Sequence, residues 1–377
     1  MLGSFIYCFA TACLLYFIGN YCGRTFQVTD ISKKNSDTDY IYNRIVTCVI
    51  MMLFSFGFVL IKGYDIYKSS LFILLCTYKS IEAFAESIYA VIQKKGNLYK
   101  VGKSMFFKAI ISIVLFLILD ILTHNLIIAC LSIIFVNIFF ILIYDIKNIK
   151  QVGIEKTKFT KEVNIRILKI GFFTFILTFL ATYLINSPRY AIDDLLEDNL
   201  QTIFGIIIMP ATFMSLLGQY IIQPSLTKIS YNIENKKYEQ LKKIIRTLIL
   251  LILGLGLCVL LVAYFLEVPV LELIYGVELK TYFLSMMIII VGSILYSLST
   301  ILSAILIAMR KILAQTIIYA IVSVISTVMA YALVDKMQIQ GASITYTITM
   351  FIVTLSFFIF TIINMIKYKK QFYIEKT

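Results

Sequence analysis

Long hydrophobic stretches constrain this chain more than any other feature. Eleven of them, each about 18–28 residues long, fill most of the 377 residues, and the segments between them are too short to form a soluble domain. Roughly 20 apolar residues in a helix cross the hydrocarbon core of a bilayer, because a helix closes its own backbone hydrogen bonds. We therefore predict an all-α polytopic membrane protein with eleven transmembrane helices. The predicted spans are 4–22, 45–62, 69–92, 105–123, 126–146, 167–186, 200–222, 246–266, 282–309, 312–334 and 340–366.

The charge of the chain predicts its topology. A formal net charge of +13 could indicate nucleic-acid binding, but the basic residues alternate loop by loop. Of the 34 Lys and Arg residues, 28 lie in one set of loops, five lie in the other set, and Lys79 lies inside a span. Cytoplasmic loops carry the excess of Lys and Arg. We therefore expect a membrane protein with its carboxyl terminus in the cytoplasm, attracted to anionic membrane lipid and not to nucleic acid.

Several function classes lack the residues they need. The chain has one histidine, His124, in a short outer hairpin, and its seven cysteines show no paired spacing. A zinc site would need several histidines or closely spaced cysteines. A serine or cysteine nucleophile would need a histidine as its partner. The chain has no glycine-rich phosphate-binding loop with a predicted strand before it. We therefore expect no enzyme, no cofactor and no metal.

Short matches between the two halves indicate an internal repeat. Segment 18–21 (IGNY) parallels 217–220 (LGQY), and segment 90–95 (AVIQKK) parallels 306–311 (LIAMRK). The matches fall in the same order and the same predicted membrane orientation, six spans apart. This pattern predicts two bundles related by an axis along the membrane normal.

The repeat predicts the domain organisation. We expect an amino-terminal lobe of five spans at 1–146, a basic cytoplasmic linker at 147–166 and a carboxyl-terminal lobe of six spans with a basic tail at 167–377. The helix without a counterpart would precede residue 4. We therefore expect that the first helix of a six-helix lobe is missing.

Three motifs carry a resemblance to a known family. They are segments 23–30 (GRTFQVTD), 89–94 (YAVIQK) and 186–190 (NSPRY), which follow the first, third and sixth spans. Together they resemble the bacterial oligosaccharide flippases of polysaccharide biosynthesis, in the superfamily that also contains the multidrug and toxic-compound extrusion (MATE) exporters. The resemblance covers essentially the whole chain.

The resemblance implies a fold and a function. It implies MATE-like lobes around a central cavity and transport by alternating access. The implied substrate is a lipid-linked oligosaccharide on a polyprenyl pyrophosphate, moved to the outer leaflet for capsule, O-antigen or lipopolysaccharide. Glycosyltransferases and a polysaccharide polymerase are the implied partners.

The third predicted span carries the sharpest polar pattern. Lys79, Glu82 and Glu86 stand at i, i+3 and i+7 and so share one helical face. Charges in a bilayer do not face lipid, so this stripe either lines a cavity or contains a Lys79–Glu82 ion pair that joins helices. Because Glu86 has no obvious partner in the sequence, we favour the cavity. Glu82 and Glu86 are then candidates for proton or sodium coupling.

Two polar residues follow the first span. Asn20 and Arg24 stand four residues apart at its predicted cytoplasmic end, and the repeat aligns Arg24 with Gln223. Arg24 could be an anchor that reaches the lipid headgroups. Alternatively, Asn20, Arg24 and Gln223 line the inner mouth of the substrate cavity, together with Lys79.

Arg189 lies on the predicted outer side of the membrane, where basic residues are scarce. It follows Pro188, where we predict the sixth span to end, and four acids at 193–198 come next. Arg189 either pairs with these acids at the surface or points into the cavity, where a guanidinium fork matches paired phosphate oxygens. We place Arg189 and its neighbour Tyr190 among the candidate substrate-binding residues.

Other functions remain open from the sequence. An ion-coupled exporter of cationic drugs would have a cavity dominated by acids. The basic residues at 24, 79 and 189 argue against this function. A membrane-embedded glycosyl- or acyltransferase would need a histidine or clustered acids at one membrane surface. The missing helix is the one feature that suggests a non-transporting remnant.

The predicted topology can be tested by thiol labelling. With single cysteines in a cysteine-free chain, Glu155→Cys and Asn235→Cys should resist an impermeant thiol reagent added outside the cell, and Leu195→Cys should react. Labelling of position 155 or 235 from outside, or protection of position 195, would contradict the orientation.

Overall fold

The computed structural model describes residues 2–21, 23–30, 35–155, 157–158 and 160–374. Within these ranges the chain forms helices and no strands. The α-helices are α1 (Leu2–Gly19), α2 (Arg24–Val28), α3 (Asp37–Lys62), α4 (Ile66–Lys94), α5 (Leu98–Thr123), α6 (Leu126–Phe140), α7 (Ile146–Val152), α8 (Lys161–Leu195), α9 (Asp198–Ile207), α10 (Met209–Ile222), α11 (Leu226–Glu234), α12 (Tyr238–Tyr275), α13 (Phe283–Ala308) and α14 (Ile312–Ile374). A π-helix at Ile141–Asp145 joins α6 to α7, and 3₁₀ turns occupy Gln223–Ser225 and Lys280–Tyr282.

The predicted all-α membrane fold is confirmed. In the described part of the chain, eight helical stretches are long and apolar enough to cross a membrane. The last of these stretches, Ile312–Lys367, contains two predicted spans, separated at Gln338 by a non-helical backbone with φ 50° and ψ −127°. Two further predicted spans correspond to α1 and α4. Helix α4 carries Lys79, Glu82 and Glu86 within its apolar length.

Most helices extend beyond the predicted spans into the loops. Helix α12, for example, begins at Tyr238, although its span was predicted from residue 246. The predicted linker 147–166 is also largely helical, because α7 and the first turns of α8 occupy its two ends. Residues 31–34, 156, 159 and 375–377, which belong to predicted loops and the tail, lie outside the described residues.

Two prolines have different effects on their helices. Helix α8 continues through Pro188 to Leu195, past the predicted end of the sixth span. Proline cannot donate to the carbonyl four residues earlier, which is that of Leu184. The Ser187 hydroxyl donates to this carbonyl at 3.3 Å, so the acceptor stays satisfied. Pro210, by contrast, lies at the start of α10, where the helix breaks after α9.

The chain divides into two compact units, Met1–Phe175 and Ile176–Thr377. In the first unit α4 is central and packs against α1, α3 and α6. In the second unit α13 is central and packs against α10, α12 and α14. Each unit therefore repeats one order: a long helix, a short helix (α2 or α11), a long helix and then the central helix. The segments matched in the sequence lie at equivalent places in this order.

Helix α10 approaches α13 closely at Gly218. A methyl group on Gly218 would lie 2.9 Å from the Cβ atom of Ser297 and 3.1 Å from its Cα atom. The Ser297 hydroxyl also donates to the Met214 carbonyl of α10 at 2.9 Å. Small residues at such crossings let membrane helices pack backbone against backbone. Gly254 of α12, in contrast, has no atom within 4 Å of an added methyl group.

We expect Gly218→Ala to destabilise the second unit. The added methyl group meets the α13 backbone, which cannot rotate away, and overpacking of this kind costs about 1–3 kcal/mol. Gly254→Ala is the matched control, and it should leave the melting temperature unchanged or raise it, because alanine favours helix. The measurement is thermal unfolding of the detergent-solubilised protein. Equal melting temperatures for both variants would contradict the packing.

Candidate functional site

The three charged side chains of the polar stripe on α4 all take part in ion pairs. The Lys79 Nζ atom lies 2.8 Å from Glu82 Oε2, which is the pair that the sequence offered as the structural alternative. Glu86 was expected to lack a partner, and this is wrong. Its carboxylate lies 3.7 Å from Arg24 Nη1.

Arg24 points towards α4. Its Nε atom donates to the Gln93 side-chain oxygen at 2.7 Å, and its guanidinium lies 5.8 Å from the centre of the Tyr89 ring. The side chain is only 11% exposed. These contacts do not fit an anchor that extends to the lipid headgroups. They place Arg24 with α4 inside the first unit.

A third ion pair joins α5 to the π-helix after α6. Lys108 Nζ lies 3.4 Å from Asp145 Oδ2 and donates to the Tyr89 hydroxyl at 2.6 Å. The same hydroxyl is 3.2 Å from Ser104 Oγ and 3.4 Å from Asp145 Oδ2. All four residues are buried. The first unit has two further ion pairs, Lys94–Asp37 at 3.6 Å and Lys95–Glu155 at 3.4 Å, at the end of α4. The first three pairs each have a member on α4 or in contact with it.

The three ion pairs surround one cavity. It measures about 390 Å³, and its polar lining includes Tyr78, Glu82, Glu86, Tyr89, Lys108 and Asn137. One member of each ion pair lines the cavity: two carboxylates and one ammonium. Their partners, Lys79, Arg24 and Asp145, are absent from the lining. The rest of the wall is apolar, as in most small-molecule sites.

Lys79 is held among aromatic rings. Its Nζ atom lies 5.2 Å from the centre of the Phe9 ring, 5.6 Å from that of Tyr16 and 5.1 Å from that of Tyr78. Ring faces attract cations, and the attraction increases when the cation is desolvated. In this cavity of the first unit, Glu82 and not Lys79 lines the wall. A role of Lys79 in substrate binding stays a prediction.

Asn20 lies between α1 and α2. Its Oδ1 atom is buried and accepts no hydrogen bond from the described residues. Nearby, Arg44 and Thr47 both donate to the Gly19 carbonyl at 2.8 Å. This caps the carboxyl-terminal end of α1, whose last carbonyls have no partner within the helix. Arg44, one of the basic residues counted for topology, thus also has a structural role.

The remaining predicted site residues belong to the second unit. Arg189 is half-buried in α8 and forms no hydrogen bond or ion pair with a described residue. The acids near it have other partners: Gln201 donates to Asp193, and the Tyr331 hydroxyl donates to Asp194. Tyr190 is exposed, and its ring lies 5.7 Å from that of Tyr183. Gln223 lies in the 3₁₀ turn after α10. Their role in binding stays a prediction.

The sequence analysis missed Lys108 and Asp145 as site residues. Lys108 was counted with a basic loop, although it lies four residues into the predicted span 105–123, and Asp145 lies one residue before the end of the span 126–146. Consecutive antiparallel helices bring the end of one next to the start of the other. A positive charge at the start of the span 105–123 and a negative charge at the end of the span 126–146 were therefore the signal that could have predicted this pair. No group of three or more candidate metal ligands occurs among the described residues.

The fold is that of the MATE transporters. A solved multidrug resistance MATE family transporter of the MOP superfamily, in an outward-facing conformation, matches 98% of this chain and 86% of its own, with a TM-score of 0.71 and 15% identity. A MATE structure in complex with MaD3S matches 97% and 88%, with a TM-score of 0.77 and 15% identity. The Vibrio cholerae MATE transporter VcmN in its bent form matches 98% and 87%, with a TM-score of 0.70 and 11% identity.

A relative by sequence bears a name from polysaccharide synthesis. The capsular polysaccharide biosynthesis protein CapF of Staphylococcus aureus is 25% identical over 335 residues, which are 87% of this chain and 83% of CapF. The chain matches no protein-family model. The relative and the solved structures confirm the resemblance found in the three sequence motifs. The chain is therefore an integral membrane protein that resembles the polysaccharide flippases of the MOP superfamily.

The Lys79–Glu82 pair generates a stability prediction. Glu82 is 38% exposed and Lys79 only 13%. Glu82→Gln leaves a buried ammonium without its counter-ion, whereas Lys79→Gln leaves a carboxylate that water in the cavity can solvate. We expect Glu82→Gln to be the more destabilising, by about 1–3 kcal/mol, and the double variant to recover most of the loss. Thermal unfolding measures this, and equal losses without recovery would contradict the pairing.

Proposed function

We propose that this protein is a flippase that moves a lipid-linked oligosaccharide across the bacterial cytoplasmic membrane by alternating access. The observation that carries the proposal is the match to CapF over most of both chains, because capsule synthesis exports sugar units. The MATE fold supports transport, since the solved structures it resembles are transporters. We propose no chemical reaction for this chain.

The cavity of the first unit supports an amphiphilic substrate. Its charged residues occupy one part of the lining, and apolar residues such as Phe5, Met105 and Phe116 occupy the rest. A lipid pyrophosphate has the same division between a charged group and a hydrocarbon chain. The proposed substrate is therefore a polyprenyl pyrophosphate that carries the sugar unit, made by glycosyltransferases and consumed by a polysaccharide polymerase.

Two glutamates are the proposed coupling residues. Glu82 and Glu86 line the cavity next to Lys79 and Arg24. A proton or sodium ion bound at either carboxylate would weaken its ion pair and release a cation. Binding of the coupling ion would thus change the charge of the cavity, which is what coupling to an anionic substrate requires.

Arg189 is the proposed cation of the second unit. It lies in the part of α8 after Pro188 and has no partner among the described residues, so its guanidinium is available for phosphate oxygens. Tyr190 follows it, and Gln223 is the polar residue that the repeat aligns with Arg24. We keep Asn20, Tyr190 and Gln223 as proposed polar contacts of the sugar or headgroup.

An ion-coupled multidrug exporter is the alternative. The two carboxylates in the lining favour it, because they could hold a cationic drug. The two functions differ in what reconstituted protein moves. A flippase exposes lipid-linked oligosaccharide to an impermeant sugar-modifying reagent on the far side of a proteoliposome, whereas an exporter concentrates a cationic dye. Dye transport without lipid translocation would overturn the proposal.

We expect Arg189→Gln to reduce lipid translocation at least tenfold. Loss of a cation from a desolvated phosphate contact costs on the order of 2–5 kcal/mol. Lys280→Gln is the control, since Lys280 is an exposed basic residue of the same unit. Translocation is measured in proteoliposomes that contain equal amounts of folded protein. Full activity of Arg189→Gln would remove this residue from the substrate site.

A further inference from the structure

We infer that Lys108 is the anion-binding residue of the first unit and that Asp145 is its resident counter-ion, which an incoming phosphate group replaces. The inference rests on the proposed function for the identity of the ligand, a pyrophosphate headgroup. It assigns the contact to a residue pair that the sequence motifs do not include.

The arrangement of the three ion pairs distinguishes Lys108 from the other cations. At the first two pairs the acids, Glu82 and Glu86, line the cavity, and their cations do not. At the third pair the order is reversed: the ammonium lines the cavity and the carboxylate does not. Among the described residues that line this cavity, Lys108 is therefore the one cation that an anion can reach without displacing a carboxylate from the wall.

Lys108 has a hydrogen-bond donor to spare. An ammonium carries three donors. One reaches the Tyr89 hydroxyl at 2.6 Å, and a second reaches Asp145 at 3.4 Å. The latter distance is long for a charge-assisted hydrogen bond, which is usually about 2.7–2.9 Å. The third donor has no acceptor among the described residues, so a phosphate oxygen in the cavity can accept it.

Asp145 balances the charge of the Lys108 ammonium when no ligand is bound. It is 0% exposed, and its Oδ1 atom has no hydrogen-bond partner among the described residues. A buried carboxylate that gains so few hydrogen bonds is a costly way to join two helices. It does, however, place a negative charge beside the Lys108 ammonium in an apolar setting. Asp145 ends the π-helix Ile141–Asp145, and π-helical turns are frequent at functional sites.

Tyr89 holds the ammonium at the wall. Its hydroxyl accepts from Lys108, and its ring lies 5.2 Å from Lys108 Nζ and 5.8 Å from the Arg24 guanidinium. Ser104, one turn before Lys108 on α5, bonds the same hydroxyl. Tyr89 thus gives Lys108 a contact in addition to the one with Asp145. When an anion weakens the contact to Asp145, the ammonium keeps one of its bonds and its place.

The test compares ligand binding by variants of the full-length protein in phosphatidylcholine nanodiscs, which contain no competing anionic lipid. The probes are polyprenyl pyrophosphate, the uncharged polyprenol and inorganic pyrophosphate. Because Lys108→Gln leaves Asp145 unpaired and could impair folding, Lys108→Gln with Asp145→Asn is the main variant: it removes both charges together. Asp145→Asn alone removes only the counter-ion. Lys103→Gln, at an exposed position one turn earlier on α5, is the matched control.

We expect the double variant to bind polyprenyl pyrophosphate roughly tenfold or more weakly and polyprenol equally well. Asp145→Asn should bind polyprenyl pyrophosphate more tightly than the unaltered protein, because the competing carboxylate is gone. A loss that extends to inorganic pyrophosphate assigns the contact to the phosphate group itself, and a loss confined to the lipid assigns it to the headgroup of a membrane-bound ligand.

Two outcomes overturn the inference and can be told apart. If the double variant binds polyprenyl pyrophosphate as tightly as the unaltered protein, Lys108 is not the contact, and the proposed function stands. If the unaltered protein does not distinguish polyprenyl pyrophosphate from polyprenol, the proposed function fails, and the inference fails with it.

Discussion

The pairing of charges inside a bilayer is the constraint on which the first unit depends. An unpaired charge near the membrane centre costs about 2.5–3.5 kcal/mol even on the most lenient scale. Helix α4 carries three charged residues within its apolar length, and it therefore needs neighbours that neutralise them. Arg24 on α2 neutralises Glu86, and Lys79 pairs with Glu82 on α4 itself. These contacts explain how a helix with three charged residues in its apolar length can be the central one.

The same pairing sets the chemistry of the cavity. Each of the three ion pairs around the cavity has one member in the wall and one outside it, so the cavity presents two carboxylates and one ammonium while these three pairs remain neutral together. A neutral but highly charged cavity can bind an anion or a cation by shifting its internal pairs. This property fits transporters, which must bind a substrate and also release it.

The two units share an architecture but differ in what their central helices carry. At the place that α4 has in the first unit, α13 carries serines in place of charges. Ser293, Ser297 and Ser299 are buried and donate to carbonyls three or four residues earlier on α13. Hydroxyls that bond their own helix let helices approach closely without any charge to neutralise. The second unit is thus closely packed where the first unit holds a charged cavity.

The sequence by itself determined the helical membrane fold, the approximate spans and the order of helices in each unit. Hydrophobic length and the distribution of basic residues are local properties, and the bilayer leaves few alternatives to a helix. It also indicated that Lys79, Glu82 and Glu86 matter, because charges in an apolar span are rare. Only the tertiary structure decided which charged residues form ion pairs with each other. Whether Glu86 meets Arg24, or Lys108 meets Asp145, depends on how helices distant in sequence rotate against each other. A rotation of one residue, about 100° on a helix, decides whether a cation or its counter-ion lines the cavity.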